Sequence, residues 1–306
     1  MKRERAVIYC PNASCGHHLA ARGARFYKYA GYFRTRYNHQ PVPRYRCREC
    51  GKYFSSHTFR HTYRQTRPDL NRSIFELLCS GVTQRRIAKL LRCDRKTVAR
   101  KLLFLSQYFG EMHFQEVRKG NLQFAQAQFD EMESFEHTRL KPLTIALAVS
   151  GNGEKILGAK VAPIVYKGRL AKLAFKKYGK REDKGAEARS SVLESVATCL
   201  AKAPIAVVTS DAKPSYRPAI GHAFGGKAVI HRAFANRQNQ LRYATHPLRR
   251  RNVADPLFYL NHVSARIRHD LSRMMRKVWN TTKLARYLQA HLNLFMAYYN
   301  EYPLPR

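Results

Sequence analysis

The order of apolar patterns between Asn121 and His231 is the strongest constraint on what this chain can fold into. NLQFAQAQFDEMESF alternates apolar and polar residues with the period of a half-buried strand. LTIALAV (143–149) is a short continuous apolar run, the signature of a strand covered on both faces. GNG reads as a hairpin turn and KILGAKVAP as a third strand. DKGAEARSSVLESVATCLAKA (183–203) is helical, PIAVVTSD is a strand ending on Asp211, and KAVIH (227–231) is one more strand. A basic stretch, RAFANRQNQLRYATHPLRRRNVAD, then precedes a helix opened by Asp255 and Pro256. The expectation is a mixed α/β domain over 119–306.

Upstream the period is helical. RPDLNRSIFELLCSG carries a start signal at Pro68 and Asp69 and a stop at Gly81, with Leu70, Ile74, Leu77 and Leu78 on one face. In VTQRRIAKLLRCDRKTVARKLLFL, Ile87, Leu90 and Leu91 mark a second helix and RCDRK a turn. Val98, Leu102 and Leu105 mark a third helix. Arg95, Lys96, Thr97, Arg100 and Lys101 are left facing outward, the layout of a DNA-reading helix-turn-helix over 67–118. Three-helix packing without DNA is the alternative.

Residues 1–66 contain two cysteine pairs, CPNASC (Cys10, Cys15) and CREC (Cys47, Cys50). Each pair can form a tight turn whose backbone amides point at the sulfurs. Two such turns facing each other make a closed, structural Cys₄ zinc site. His17, His18, His57 and His61 are nearby substitutes for one cysteine. Between the pairs, ARGARFYKYAGYFRTRYNHQPVPRYR alternates basic and aromatic residues, which either stack on bases and hold phosphates or supply the core of a small zinc ribbon. Cys79, Cys93 and Cys199 lie in apolar helical patterns and read as small buried hydrophobes.

The chain has 57 Lys and Arg against 20 Asp and Glu, a formal charge of +37. Such an excess repels itself in a compact molecule unless a polyanion is present, and nucleic acid is the leading partner. An anionic membrane surface is disfavoured because no long apolar run occurs. MKRERAVIYC is too short in apolar residues to be a signal peptide, so a cytoplasmic protein is expected.

Against this charge, Asp130, Glu131 and Glu133 crowd into FDEMESF. Three antiparallel strands, a helix, a strand, a strand and then helices is the order of an RNase H-like domain, whose first and fourth strands are neighbours. In that arrangement Asp130 meets Asp211. Two adjacent carboxylates call for a cation, and hard oxygen ligands select Mg²⁺ or Mn²⁺. A solvated turn is the alternative.

With these residues in hand, the chain resembles an insertion-sequence transposase of the DDE class, closest to the insertion-sequence-one type. The resemblance rests on the Cys-pair ribbon, GVTQRRIAKLLRCDRKTVARKL, FDEMESF, TSDAKPSY and the C-terminal LNHVSARIRHDLSRMMRKVWNTTK. It implies an RNase H-like catalytic domain after a zinc ribbon and a helix-turn-helix. It further implies binding of double-stranded DNA at terminal inverted repeats, and two-metal phosphodiester hydrolysis and strand transfer by at least a dimer working at the nucleoid. The resemblance places the first two metal-binding acids at Asp130 and Asp211. Where the family has a third acid, this chain has Asn261, beside His262. Either Asn261 completes the triad, or Asp255, Asp270 or Glu133 substitutes, or the chain binds DNA without cutting it. Lys213 sits where it could hold a phosphate, and Arg249, Arg250 and Arg251 are expected on the DNA backbone.

Overall fold

A computed structural model describes residues 9–18, 26–234, 255–275 and 280–305. The chain divides into two compact units, Met1–Arg72 with Pro303–Arg306, and Ser73–Tyr302. The expected helices and sheet therefore share the larger unit. Arg249, Arg250 and Arg251 lie outside the described residues.

The smaller unit is an antiparallel sheet of β1 (Tyr27–Arg34), β2 (Pro41–Cys47) and β3 (Tyr53–Ser55), in that order. Its core is Cys10, Cys15, Phe26, Cys47 and Phe54, with Tyr27, Tyr45 and Phe59 packed against them. Gly51 closes the turn between β2 and β3 at φ +72°, a conformation that favours glycine.

The larger unit begins with α1 (Leu70–Leu78), α2 (Gln84–Leu90) and α3 (Arg95–Arg118). Thr83 caps α2 by accepting from the Arg86 amide, and Asp94 caps α3 by accepting from the Lys96 amide at 2.6 Å. Val98, Leu102, Leu105 and Phe109 form the buried stripe of α3. Lys101, expected to face outward, is buried as well: three residues after Val98 and four before Leu105, it falls on the inward face. Cys93 is only half-buried, in the turn between α2 and α3, and Leu90 is exposed, so the apolar pattern misplaces both. Cys79 and Cys199 are buried as expected.

The sheet has five strands: β4 (Gln126–Phe135), β5 (Pro142–Ser150), β6 (Ile156–Pro163), β7 (Ala206–Asp211) and β8 (Val229–Phe234). Their order is β6-β5-β4-β7-β8. β4, β5 and β6 are antiparallel; β7 runs parallel to both β4 and β8. The first and fourth strands of this unit are neighbours, as the pattern order predicts. α5 (Gly185–Cys199) fills the expected helical segment. Two helices were not expected, α4 (Ala171–Tyr178) and α6 (Tyr216–Phe224). α6 contains Pro218 and Gly221, both poor interior residues. Pro218 is the third helical residue, where its missing amide hydrogen has no intrahelical partner to lose.

Helices cover both faces. Phe129, Ala146, Ala148 and Leu157 pack with Val192 and Val196 of α5 and Tyr216 of α6. Met132, Leu143, Ile145 and Leu147 pack with α7 (Phe258–Asp270) and α8 (Ala285–Tyr299) through Val263, Ile267 and Phe295. Alternation along β5 thus sends Leu, Ile and Val one way and alanines the other, so α5 approaches closely. A Cβ on Gly158 would sit 3.3 Å from Val192. Ala148→Leu is therefore expected to overpack this face and destabilise the protein by about 1–3 kcal/mol, measured by urea unfolding.

Candidate functional site

The sulfurs of Cys10, Cys15, Cys47 and Cys50 all lie within 4.8 Å of one another. Cys10 is 3.5 Å from Cys50 and Cys15 is 3.8 Å from Cys47, and all four are free of disulfides. A tetrahedral metal–thiolate centre with bonds of about 2.3 Å has sulfur–sulfur edges of about 3.8 Å, so the four can hold a metal ion such as zinc. Backbone amides point at the sulfurs as the turn chemistry requires, that of His17 at Cys15 and that of Lys52 at Cys50. The Lys52 amide is the main reason the Cys50 thiol is lowered to about 6. Cys10 and Cys15 are raised by burial and by sharing hydrogen bonds with the neighbouring sulfurs, for Cys15 against the pull of the His17 amide, so Cys50 is the readiest of these to become a thiolate. The nearby histidines are occupied elsewhere. His17 faces Glu49 at 3.2 Å, His18 bonds the Cys10 carbonyl at 2.7 Å, and His57 lies edge-on to Phe33.

A strand turns successive side chains to opposite faces, so Asp130 points away from Glu131 and Glu133, which share a face and differ in their position along β4. Glu133 is exposed and pairs with Lys167 at 2.7 Å. The Glu131 side chain is only 7% exposed and is held by Arg189 at 3.0 Å and by Lys213. Asp130 accepts from the Glu131 amide at 2.6 Å and from the Tyr216 hydroxyl at 3.1 Å. In the parallel pairing of β4 with β7, Phe129 is opposite Ser210, so Asp130, midway along β4, and Asp211, the last residue of β7, follow side by side where that pairing ends. Asp211 accepts from the Lys213 amide at 3.2 Å. Neither aspartate has an ion-pair partner among the described residues. Burial, and behind it the charge of Asp211, pushes the Asp130 carboxyl up from 3.8 to about 6, against the opposing pull of the Glu131 amide. Tyr216 is held protonated by burial and by Asp130, so its hydroxyl remains a donor.

Sequence reasoning missed Arg189, Tyr216 and Gln128. Arg189 and Lys213 both lie over the Tyr216 ring, at 5.7 and 5.1 Å, tying the Glu131 ion pairs to the hydroxyl on Asp130. Tyr216 was visible inside TSDAKPSY, but nothing in that string marks a side chain that reaches back to β4. Gln128, two residues before Asp130, accepts from the Leu260 amide at 2.9 Å and donates to the Pro256 carbonyl at 3.2 Å. It pins the first turn of α7 to β4. Asn261, the next residue on that helix, is exposed and donates its amide to Asp255 at 2.8 Å. Asp255 also accepts from the Leu257 amide, so it starts the helix as well as holding Asn261. Asp270 is engaged by Arg266 and His269.

Arg95, Lys96 and Arg100 are exposed at the start of α3, and Thr97 is half-buried there. Arg95 and Lys96 join Arg85, Arg273 and Lys283 around a cavity of about 590 Å³ that has no carboxylate among its described lining residues. Burial lowers Arg273 to about 10 and leaves its Nε without a partner. The described lining of this cavity is positively charged. No helix among the described residues is long and apolar enough to cross a membrane. The chain matches no protein-family model and no curated protein.

Cys47→Ser is expected to abolish metal binding and unfold the smaller unit, whereas Cys93→Ser keeps about one zinc per chain; metal analysis of the purified proteins decides it. A second expectation follows from Asp130. Its raised value means its contribution to stability is present below about 3.8 and is lost as pH rises through about 6. In metal-free protein, Asp130→Asn should therefore gain on wild type between those limits, by up to about 3 kcal/mol at pH 7 in urea unfolding.

Proposed function

We propose that the chain is a DDE-class DNA transposase. It binds the terminal inverted repeats of an insertion sequence, cuts a phosphodiester at the element's end and joins the freed 3′-OH to target DNA. The observation that carries this reading is the pair Asp130 and Asp211, side by side where parallel β4 and β7 stop pairing and without an ion-pair partner among the described residues, in a chain of charge +37. The strand order β6-β5-β4-β7-β8, with helices on both faces, supports an RNase H-like domain. α2, the turn and α3 support a helix-turn-helix, and the three-stranded unit with its four cysteines supports a zinc ribbon.

Asp130 and Asp211 would hold Mg²⁺ or Mn²⁺, with Asn261 and its partner Asp255 at the third position. A divalent pair bound there would supply Lewis acidity to the scissile phosphate and an activated water or 3′-OH. The residues of the chain do the rest. Tyr216 and the Glu131 amide orient the Asp130 carboxylate, and Arg189 and Lys213 hold Glu131 away from it. The exposed cations of α3 and the Arg273 cavity hold duplex phosphates and fix the register. Joining two element ends requires at least two copies of the chain, acting on the nucleoid in the cytoplasm.

A DNA-binding protein that does not cut is the second reading. It is favoured by one observation: the third position carries an exposed asparagine, not an acid. Cleavage of labelled element-end DNA with Mg²⁺ or Mn²⁺ separates the two. Wild type should nick, Asp130→Ala and Asp211→Ala should fall below detection, and Asn261→Ala should fall roughly 10–100-fold, as for groups that support a metal ligand. Tight binding with no cleavage under either metal would establish the second reading instead.

A further inference from the structure

The smaller unit has an outer face that its fold does not explain. Cross-strand partners share a face, so the pairs Arg46–Tyr53 and Arg44–Ser55 put Arg44, Arg46 and Tyr53 on the side away from the cysteine core. Tyr53 is 53% exposed, with the guanidinium of Arg44 5.2 Å and that of Arg46 5.5 Å from its ring centre. Tyr63, 47% exposed, carries Arg64 at 5.4 Å. These rings line a cavity of about 510 Å³ together with Arg34, Arg36 and Arg60, and no carboxylate is among its described lining residues.

We propose that this groove binds single-stranded DNA by stacking unpaired bases on Tyr53 and Tyr63 while the surrounding arginines take the phosphates. A duplex keeps its base faces stacked on one another, so it offers phosphates to the arginines and nothing to the rings. An unpaired strand offers both. The stacking groove stands without the transposase reading; the choice of DNA over RNA rests on it.

The test uses the full chain and three fluorescent ligands, an oligothymidine, an oligouridine and a DNA duplex, each about 20 units long. Tyr53→Ser with Tyr63→Ser leaves every charge in place. It should weaken oligothymidine binding by about 25-fold or more, since each stacked base is worth about 5-fold or more. Duplex affinity and the salt dependence of binding should be unchanged. Tyr53→Phe with Tyr63→Phe, which keeps the rings, should bind like wild type. Equal losses for strand and duplex, or no loss for either, would overturn the groove. Oligouridine bound more tightly than oligothymidine, with the same dependence on the rings, would overturn the choice of DNA. Metal-dependent cleavage by the same double variants on element-end DNA is read separately, so failure of the transposase reading shows as lost cleavage in wild type.

Discussion

The parallel pairing of β4 with β7 is the constraint on which the rest of the larger unit depends. It joins residues about eighty positions apart in register, Phe129 opposite Ser210, and so sets Asp130 beside Asp211. Parallel strands need a crossover and a covered sheet. The crossover here contains α5, which covers one face. β5 can accept it because Ala146 and Ala148 point that way while its large side chains meet α7 and α8. A sheet buried on both sides puts the middle of a strand such as β4, where Asp130 lies, in a low-dielectric setting. There a carboxyl such as Asp130 is pushed up by burial, with the neighbouring charge of Asp211 adding to it.

The basic composition makes the fate of the acids selective. Of the three acids in FDEMESF, two find cations, Glu133 at the surface and the nearly buried Glu131. Asp130 and Asp211 are kept from them by geometry, not by scarcity. Arg189 and Lys213 stand close by, yet both are spent on Glu131 and on the ring of Tyr216. What reaches Asp130 is a neutral hydroxyl and an amide. A site that excludes the protein's own cations in this way is suited to a cation from outside, which is the physical core of the transposase proposal.

Much of the fold was legible because strand and helix periods differ and because the strands are long enough to show them. The alternating FDEMESF, the apolar LTIALAV and the strand-end Asp211 fixed the neighbours of the sheet. α4 and α6 were not legible. α6 carries Pro218 and Gly221, so local propensity speaks against a helix that tertiary packing stabilises, whereas the eight residues of α4 are rich in helix formers but too short to show a clear period. The outward reading of Lys101 failed for a related reason: a charged residue was assigned to the surface by type, when its spacing from Val98 and Leu105 placed it inward. At the acid site the strand aspartates could be found from pattern alone. Arg189, Tyr216 and Gln128 could not, because each acts across a distance in sequence that only the assembled layers close.

The smaller unit follows a different economy. A core cluster of five residues, three of them cysteines, is too small to stabilise a sheet by hydrophobic burial alone. A metal held by four sulfurs would make good that deficit. Given so little core, the favourable place for every large ring is inside it. Tyr27, Tyr45, Phe26 and Phe54 are there, in contact with one another at centroid distances of 4.9–6.0 Å. Tyr53 sits one residue before Phe54 and takes the other face by strand alternation alone. Alternation accounts for its direction, but not for a ring where a polar residue would hydrate better, nor for the two arginines beside it. The ring adds nothing to the core, and with the arginines beside it points to a ligand with flat faces and negative charge.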